Sequence, residues 1–301
     1  MWRQSAKRRR FSMRNTFNAA SPYKRLDTMK DGEILHIPTG TNVTKEDMME
    51  AVSEARVIYI SENHDNLAAH EAQLDVIREL HKKHPGKIAV GMEMFRRSAQ
   101  KELDSASEGK MTRDGFNKLF DREWTADWRA AYQPVLDYLY DKKIPVIGLK
   151  PTTATESAVR SGNTSPDVPE LDMNDPHHRG RYLPFFSGAN TTPEAAEKKY
   201  RMMVLWDEAM AERVAEFLKN PANKDKKLVV IAGVGHIGHG YGIPKRAYRR
   251  KPHSYSIIVP AVGHEADGPT QLPLGDYAWK VPYKRTAQPP RPPSAPRGNI
   301  R

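Results

Sequence analysis

The chain has no cysteine among its 301 residues. Disulfides, thiolate metal sites, iron–sulfur clusters and lipid attachment through Cys are thereby excluded, although this alone does not fix the compartment. Long apolar runs are missing too: no stretch approaches the roughly 20 residues needed to span a bilayer. A third scarcity is local, a shortage of acids at both ends. Residues 1–30 carry nine Lys/Arg against one acid, Asp27, and residues 284–301 carry five against none, for net charges of +8 and +5. The rest of the chain holds 34 basic and 36 acidic residues, so the overall +11 belongs to the ends. No specific nucleic-acid partner is read from it.

What is present fits a globular protein, with 38% apolar and 28% charged residues. Residues 1–30 form a basic arm. The arm lacks the apolar segment, about 7–15 residues long, of a secretory signal, so RRRF is not taken as an export signal. A disordered arm and an organellar transit peptide are the two readings of its composition. Residues 284–301, with QPPRPPSAPRG, read as an extended Pro-rich tail.

Between these ends, residues 31–283 alternate strands and helices. Thr44 and Asp47 announce a helix running to about Ala55, and RVIYI reads as a buried strand. A helix follows from about Leu67 to Lys83. KIAVGMEMF is the next strand, then come helices at QKELDSA, TRDGFNKLF and DWRAAYQPVLDYLYDKK. IPVIGLK is a strand, YRMMVLWDEAMAERVAEFL a long amphipathic helix, and KLVVIAGVGH and YSIIVPAV two further strands. Near-continuous apolar strands separated by helices predict an α/β fold: a mainly parallel sheet flanked by helices, interrupted by an irregular insertion at about 151–199 with at most a short helix.

Four of the strands end in polar residues. VIYI runs into Glu62 and His64, IAVGM into Glu93, PVIGL into Lys150 and VVIAG into His236. Parallel sheets bind ligands outside the carboxyl ends of their strands, so these positions are expected to converge. Glu62, His64, Glu93 and His236 offer two carboxylates and two imidazoles. That set suits a divalent ion such as Mn, Zn or Co, or acid–base work in which Glu62 or Glu93 activates water. Taken singly, each also has a packing role: a cap for His64, a pairing with Arg96 for Glu93, a tight turn for His236. Arg96 and Arg97 are placed to hold a carboxylate. Asp207 is expected either in the same pocket or paired with a buried Arg. In the insertion, NDPHHRGRYLPFFSG gathers His177, His178, Arg179, Arg181, Tyr182, Phe185 and Phe186 in what reads as a loop, suited to a flat anionic ligand.

The segments SENHDNLAAHEAQ, GMEMFRRSAQKELD, WTADWRAAYQPVLDY, VIGLKP, VLWDEAMAERVA and VIAGVGHIGHGYGIPKR together resemble the ChaN-type haem-binding uptake proteins. That family lies in the wider Tiki/TraB/erythromycin-esterase-like superfamily. The likeness runs from about Gly32 to Val281. It implies haem binding in iron uptake, with haem at a homodimer interface, a Tyr on iron and His and Lys on the propionates. The residues matching that role are Tyr182, then Tyr241, with His178, Arg181 and Lys150 for the propionates. Hydrolases of the superfamily use GxxH motifs and an acid, which fall here on His64, Glu93 and His236. The chain departs from the family pattern at Ser61, Ala69 and Lys150, and it has no lipobox Cys, the anchor that places relatives in the cell envelope. Two functions therefore stand side by side: a non-enzymatic haem-binding protein of the uptake type, with its ligand at the sheet's C-terminal edge under the insertion, and a metal-dependent hydrolase.

Overall fold

A computed structural model describes residues 28–163, 166–188, 190–261 and 273–285. Most of the basic arm and nearly all of the Pro-rich tail lie outside the described residues. The order of elements is β1 (Ile34–His36), β2 (Thr41–Val43), α1 (Lys45–Val52), β3 (Val57–Glu62), α2 (Leu67–Lys83), β4 (Ile88–Arg96), α3 (Gln100–Ser107), α4 (Arg113–Glu123), α5 (Ala126–Asp141) and β5 (Val146–Lys150). There follow α6 (Thr153–Arg160), α7 (Pro176–Phe186), α8 (Pro193–Lys219), β6 (Lys227–Gly233), α9 (Val234–Ile237), α10 (Ile243–Arg250), β7 (Tyr255–Ala261) and β8 (Tyr277–Lys280).

The strands form one sheet in the order β2-β1-β8-β7-β3-β6-β4-β5. From β8 to β5 every pairing is parallel, and β1 joins antiparallel at one side. The expected α/β architecture is thus present. Alternation along each strand explains why both faces are covered. Ile58 and Ile60 of β3, Val229 and Ile231 of β6 and Val90 and Met92 of β4 pack with α1, α2, α4 and α5. Val57 and Tyr59, Val230 and Ala232 pack on the other face with Met210, Val214 and Phe217 of α8. Both faces of the central strands are therefore apolar, which is why they read as unbroken hydrophobic runs.

Local signals fix the helix starts. Thr44 and Asp47 form a reciprocal capping box on α1, and Asn66 caps α2 through Ala68 N–H. The segment read as a loop is largely helix α7. Pro176 occupies its first turn, and the Asp175 carboxylate accepts from His177 and His178 N–H. Pro at the first helical position and an Asp cap are helix-starting signals; Gly180 and Pro184 disguised them. The insertion also holds α6, so it is more helical than its composition suggests. No helix among the described residues is long and apolar enough to cross a membrane.

Candidate functional site

Strands β3, β6, β4 and β5 are neighbours in the sheet, and their carboxyl ends share one rim. The pairing of Glu62 with Gly233 fixes the register there. Glu62, 1% exposed, accepts from Gln73 Nε2 at 2.8 Å, from His64 Nδ1 at 2.6 Å and, in a short contact, from the Tyr132 hydroxyl. His70 Nδ1 lies 3.3 Å from its second oxygen. Burial alone would raise the Glu62 pKa, but the charges and hydrogen bonds of His70 and His64 outweigh it and hold the carboxylate well below its usual range. The converse holds for His64. Burial opposes its charge, yet the hydrogen bond and charge of Glu62 and the charge of Glu93 lift its pKa to about 9.

A second pairing faces the first. Asp207 on α8 is fully buried. It receives His236 Nδ1 on one oxygen and His178 Nε2 on the other, both at 2.7 Å. His178 continues to the Tyr200 hydroxyl at 3.0 Å. Burial would raise the Asp207 pKa, but the His236 charge and the two hydrogen bonds draw it down to about 2. Burial likewise opposes the charged form of His236, and Glu93 and Asp207 overcome it and raise its pKa. Glu93 stands between the two pairs. One oxygen accepts Gly233 N–H at 2.8 Å, and the other lies 3.6 Å from His236 Nε2. A Cβ at Gly233 would approach His64 Nε2 to 3.3 Å and Glu93 Oε2 to 3.7 Å, so glycine keeps this gap open. The convergence expected of Glu62, His64, Glu93 and His236 is present, and Asp207 joins them instead of pairing with an arginine.

The coordination set expected of the four residues does not form. Among the described residues no three His, Asp or Glu side chains are arranged to hold a metal ion. Each imidazole turns Nδ1 to its own carboxylate, and Glu93 spends an oxygen on the backbone. Arg96 and Arg97 are also engaged: Arg96 with Glu156 at 3.1 Å, Arg97 with Glu212 and Glu216. Sequence reasoning missed Tyr132, Gln73 and His70 as site residues. Tyr132 and Gln73 read only as helix residues, and nothing in their local sequence marks a partner 70 or 11 positions away.

The remaining candidates lie along the same rim. Lys150 ends β5 between the rings of Trp124 and Trp206. Tyr182 is buried with Tyr200, Met203 and Val204 and packs on His178. Tyr241 is covered on its ring faces by His177 and His239, at centroid distances of 5.8 and 5.4 Å. Neither tyrosine hydroxyl has a hydrogen-bond partner among the described residues. Arg181 is exposed and acts electrostatically on both phenols. Burial pushes both phenols up, with the charge of Asp207 adding to the shift of Tyr182.

An α/β sheet with two histidine–carboxylate pairs at its rim, their carboxylates buried, and an aromatic, cationic insertion defines the class. The chain belongs to the haem-binding uptake family, Tiki superfamily, ChaN, whose family model matches residues 48–247. Its fold is similar to that of ChaN of Campylobacter jejuni, a structure described for cofacial heme binding. The TM-score is 0.68, identity is 18%, and the match covers 83% of this chain and 96% of that one. The type III effector HopBA1 is similar at TM-score 0.45 and 15% identity, covering 79% and 92% of the two chains. A mutant of the erythromycin esterase EreC in its open conformation is similar at TM-score 0.44 and 12% identity, covering 71% and 72%. No curated protein matches the chain.

Proposed function

We propose that the protein binds haem at the C-terminal edge of the sheet, beneath and beside α7, as an iron-uptake protein of the ChaN type. Membership of the haem-binding family carries this reading. The chemistry of the rim supports it. α7 presents Phe185, 82% exposed, with exposed His177 and Arg181, and beside them stand two phenols without hydrogen-bond partners among the described residues. An apolar ring, cations for propionates and a phenol for ferric iron are the groups that haem requires.

Tyr241 is the better-placed iron ligand and Tyr182 the alternative. Both side chains are buried, but after burial the strongest influence on Tyr182 is the Asp207 carboxylate, which opposes a phenolate, whereas on Tyr241 it is the Arg181 cation, which favours one. Arg181 is the propionate partner. His178 has both ring nitrogens engaged, by Asp207 and Tyr200, so its part is to set the wall behind Tyr182. Bound haem would supply the iron centre; the protein's task is to hold and shield it. A second copy of the chain, covering Phe185, would complete the shield.

Absorbance titration with hemin tests the ligand assignment. Tyr241→Phe is expected to shift the Soret band and weaken binding about tenfold or more, a loss of ~1.4 kcal/mol, while Tyr182→Phe leaves the band in place. Identical spectra for wild type and both variants would remove tyrosine from the account.

A second reading is favoured by the His64–Glu62 and His236–Asp207 pairs, which haem ligation through tyrosine does not use. Two imidazoles held by buried carboxylates on either side of Glu93 are equipped for acid–base chemistry, including hydrolysis. Turnover of a small activated ester that is lost in both His64→Ala and His236→Ala would support it. Turnover unchanged in both variants would dismiss it.

A further inference from the structure

Among the described residues, the cations at the strand ends are matched with carboxylates, with one exception. Arg96 meets Glu156, Arg97 meets Glu212, His64 meets Glu62 and His236 meets Asp207. Lys150 makes no hydrogen bond and no ion pair among the described residues. Its Nζ lies 4.5 Å from the centre of the Trp124 ring and 5.5 Å from that of Trp206. The side chain is half-buried, and its nitrogen remains open to solvent. Trp124 adds a second unmet donor: its Nε1 is buried without a hydrogen-bond partner. Trp124 also leans on His64, with ring centroids 5.3 Å apart, and Trp206 stands edge-on to His236 at 6.2 Å.

An ammonium carries three donors and no acceptor. Two indole faces stabilise its charge, but they accept none of its hydrogen bonds in the ordinary sense. The donors are therefore left for a ligand, in a corner whose apolar walls lower the local dielectric and strengthen a charge-assisted bond. Glu93, Glu156 and the Arg96 cation lie within electrostatic reach of Lys150, two negative charges against one positive. Their net negative charge sets the limit on the ligand: a monoanion is tolerated better than a compact dianion such as phosphate.

We propose that the corner formed by Lys150, Trp124 and Trp206 binds a small organic carboxylate. Lys150 Nζ holds the carboxylate and the indoles wall the apolar body. Lys150 holds this ligand in the chain without haem. Isothermal titration calorimetry of the full chain without hemin tests it, using benzoate, its neutral isostere benzamide, and inorganic phosphate. Benzoate is expected to bind saturably and about tenfold or more tightly than either of the others. Lys150→Met should abolish that preference while Lys150→Arg retains it, with far-UV circular dichroism showing both variants folded. Benzamide binding as well as benzoate, phosphate binding more tightly, benzoate failing to saturate, or a preference that survives in folded Lys150→Met would each overturn the proposal.

Discussion

Glu62 is the residue on which most of the local electrostatics turns. Its two oxygens serve His64, Tyr132, Gln73 and His70 at once, so removing its charge should be felt first at His64. In Glu62→Gln the His64 pKa, now lifted to about 9, is expected to fall to or below the ordinary ~6.5, because burial and the Lys150 charge then act with less opposition. An NMR titration of the imidazole measures this, and an unmoved His64 would contradict the assignment. The same groups set a pH window for stability. His64 has a raised folded pKa, so its contribution is complete below about pH 6.5 and is lost as the pH climbs through about 9. Asp207 has a depressed one, so its contribution is complete above about pH 3.8 and is lost as the pH falls through about 2. Urea unfolding is therefore expected to show greatest stability between about pH 4 and 6.5, with His70 and His236 adding to the alkaline loss. His64 is partly open to solvent, and screening reduces its own share to about 1 kcal/mol.

Among the elements, the contact of α8 with α10 is the one most exposed to a single change. Glu208 is fully buried and holds Arg246 Nε at 3.0 Å, Arg249 Nη2 at 2.9 Å and Arg250 Nη1 at 2.5 Å. Glu208→Ala would leave the buried Arg246 guanidinium without its carboxylate, and a loss of about 3–5 kcal/mol is expected in denaturant unfolding. Gly242 marks the second weak point. A Cβ there would sit 2.2 Å from His236 O and 2.9 Å from Asp207 Oδ1, so Gly242→Ala must push apart the turn that carries His236. About 1–3 kcal/mol of destabilisation is expected, together with a changed His236 environment by NMR.

These elements also show what could be read in advance. β3, β4, β6 and β7, covered on both faces, announced themselves as apolar runs, and α2 has the bounds Leu67–Lys83 that were read for it. The short strands β1, β2 and β8, which lie together at one side of the sheet, have only three or four residues each, too few to establish a period. α10, IPKRAYRR, was hidden for a different reason: one of its buried positions is Arg246, which only a distant carboxylate makes tolerable. α7 read as loop because Pro and Gly outweighed its cap.

At the scale of the whole molecule, parallel topology does the gathering. Four adjacent strands bring residues 62, 93, 150 and 233–236 to one rim, and strand-end position marked Glu62, Lys150 and His236 in the sequence, whereas β4 runs three residues past Glu93. Helix-borne partners carried no such marker. His70, Gln73, Tyr132 and the hydrogen-bonding role of His178 depend on which helix face meets the sheet, which the order of residues does not specify by itself. The family match over residues 48–247 is the observation on which the proposed haem binding rests.

Titrating the full chain with hemin and following the Soret band tests that account most directly. A saturable shift, with hemin retained through gel filtration, is the result expected. A band that tracks free hemin at every ratio, with no hemin retained by the folded protein, would contradict it.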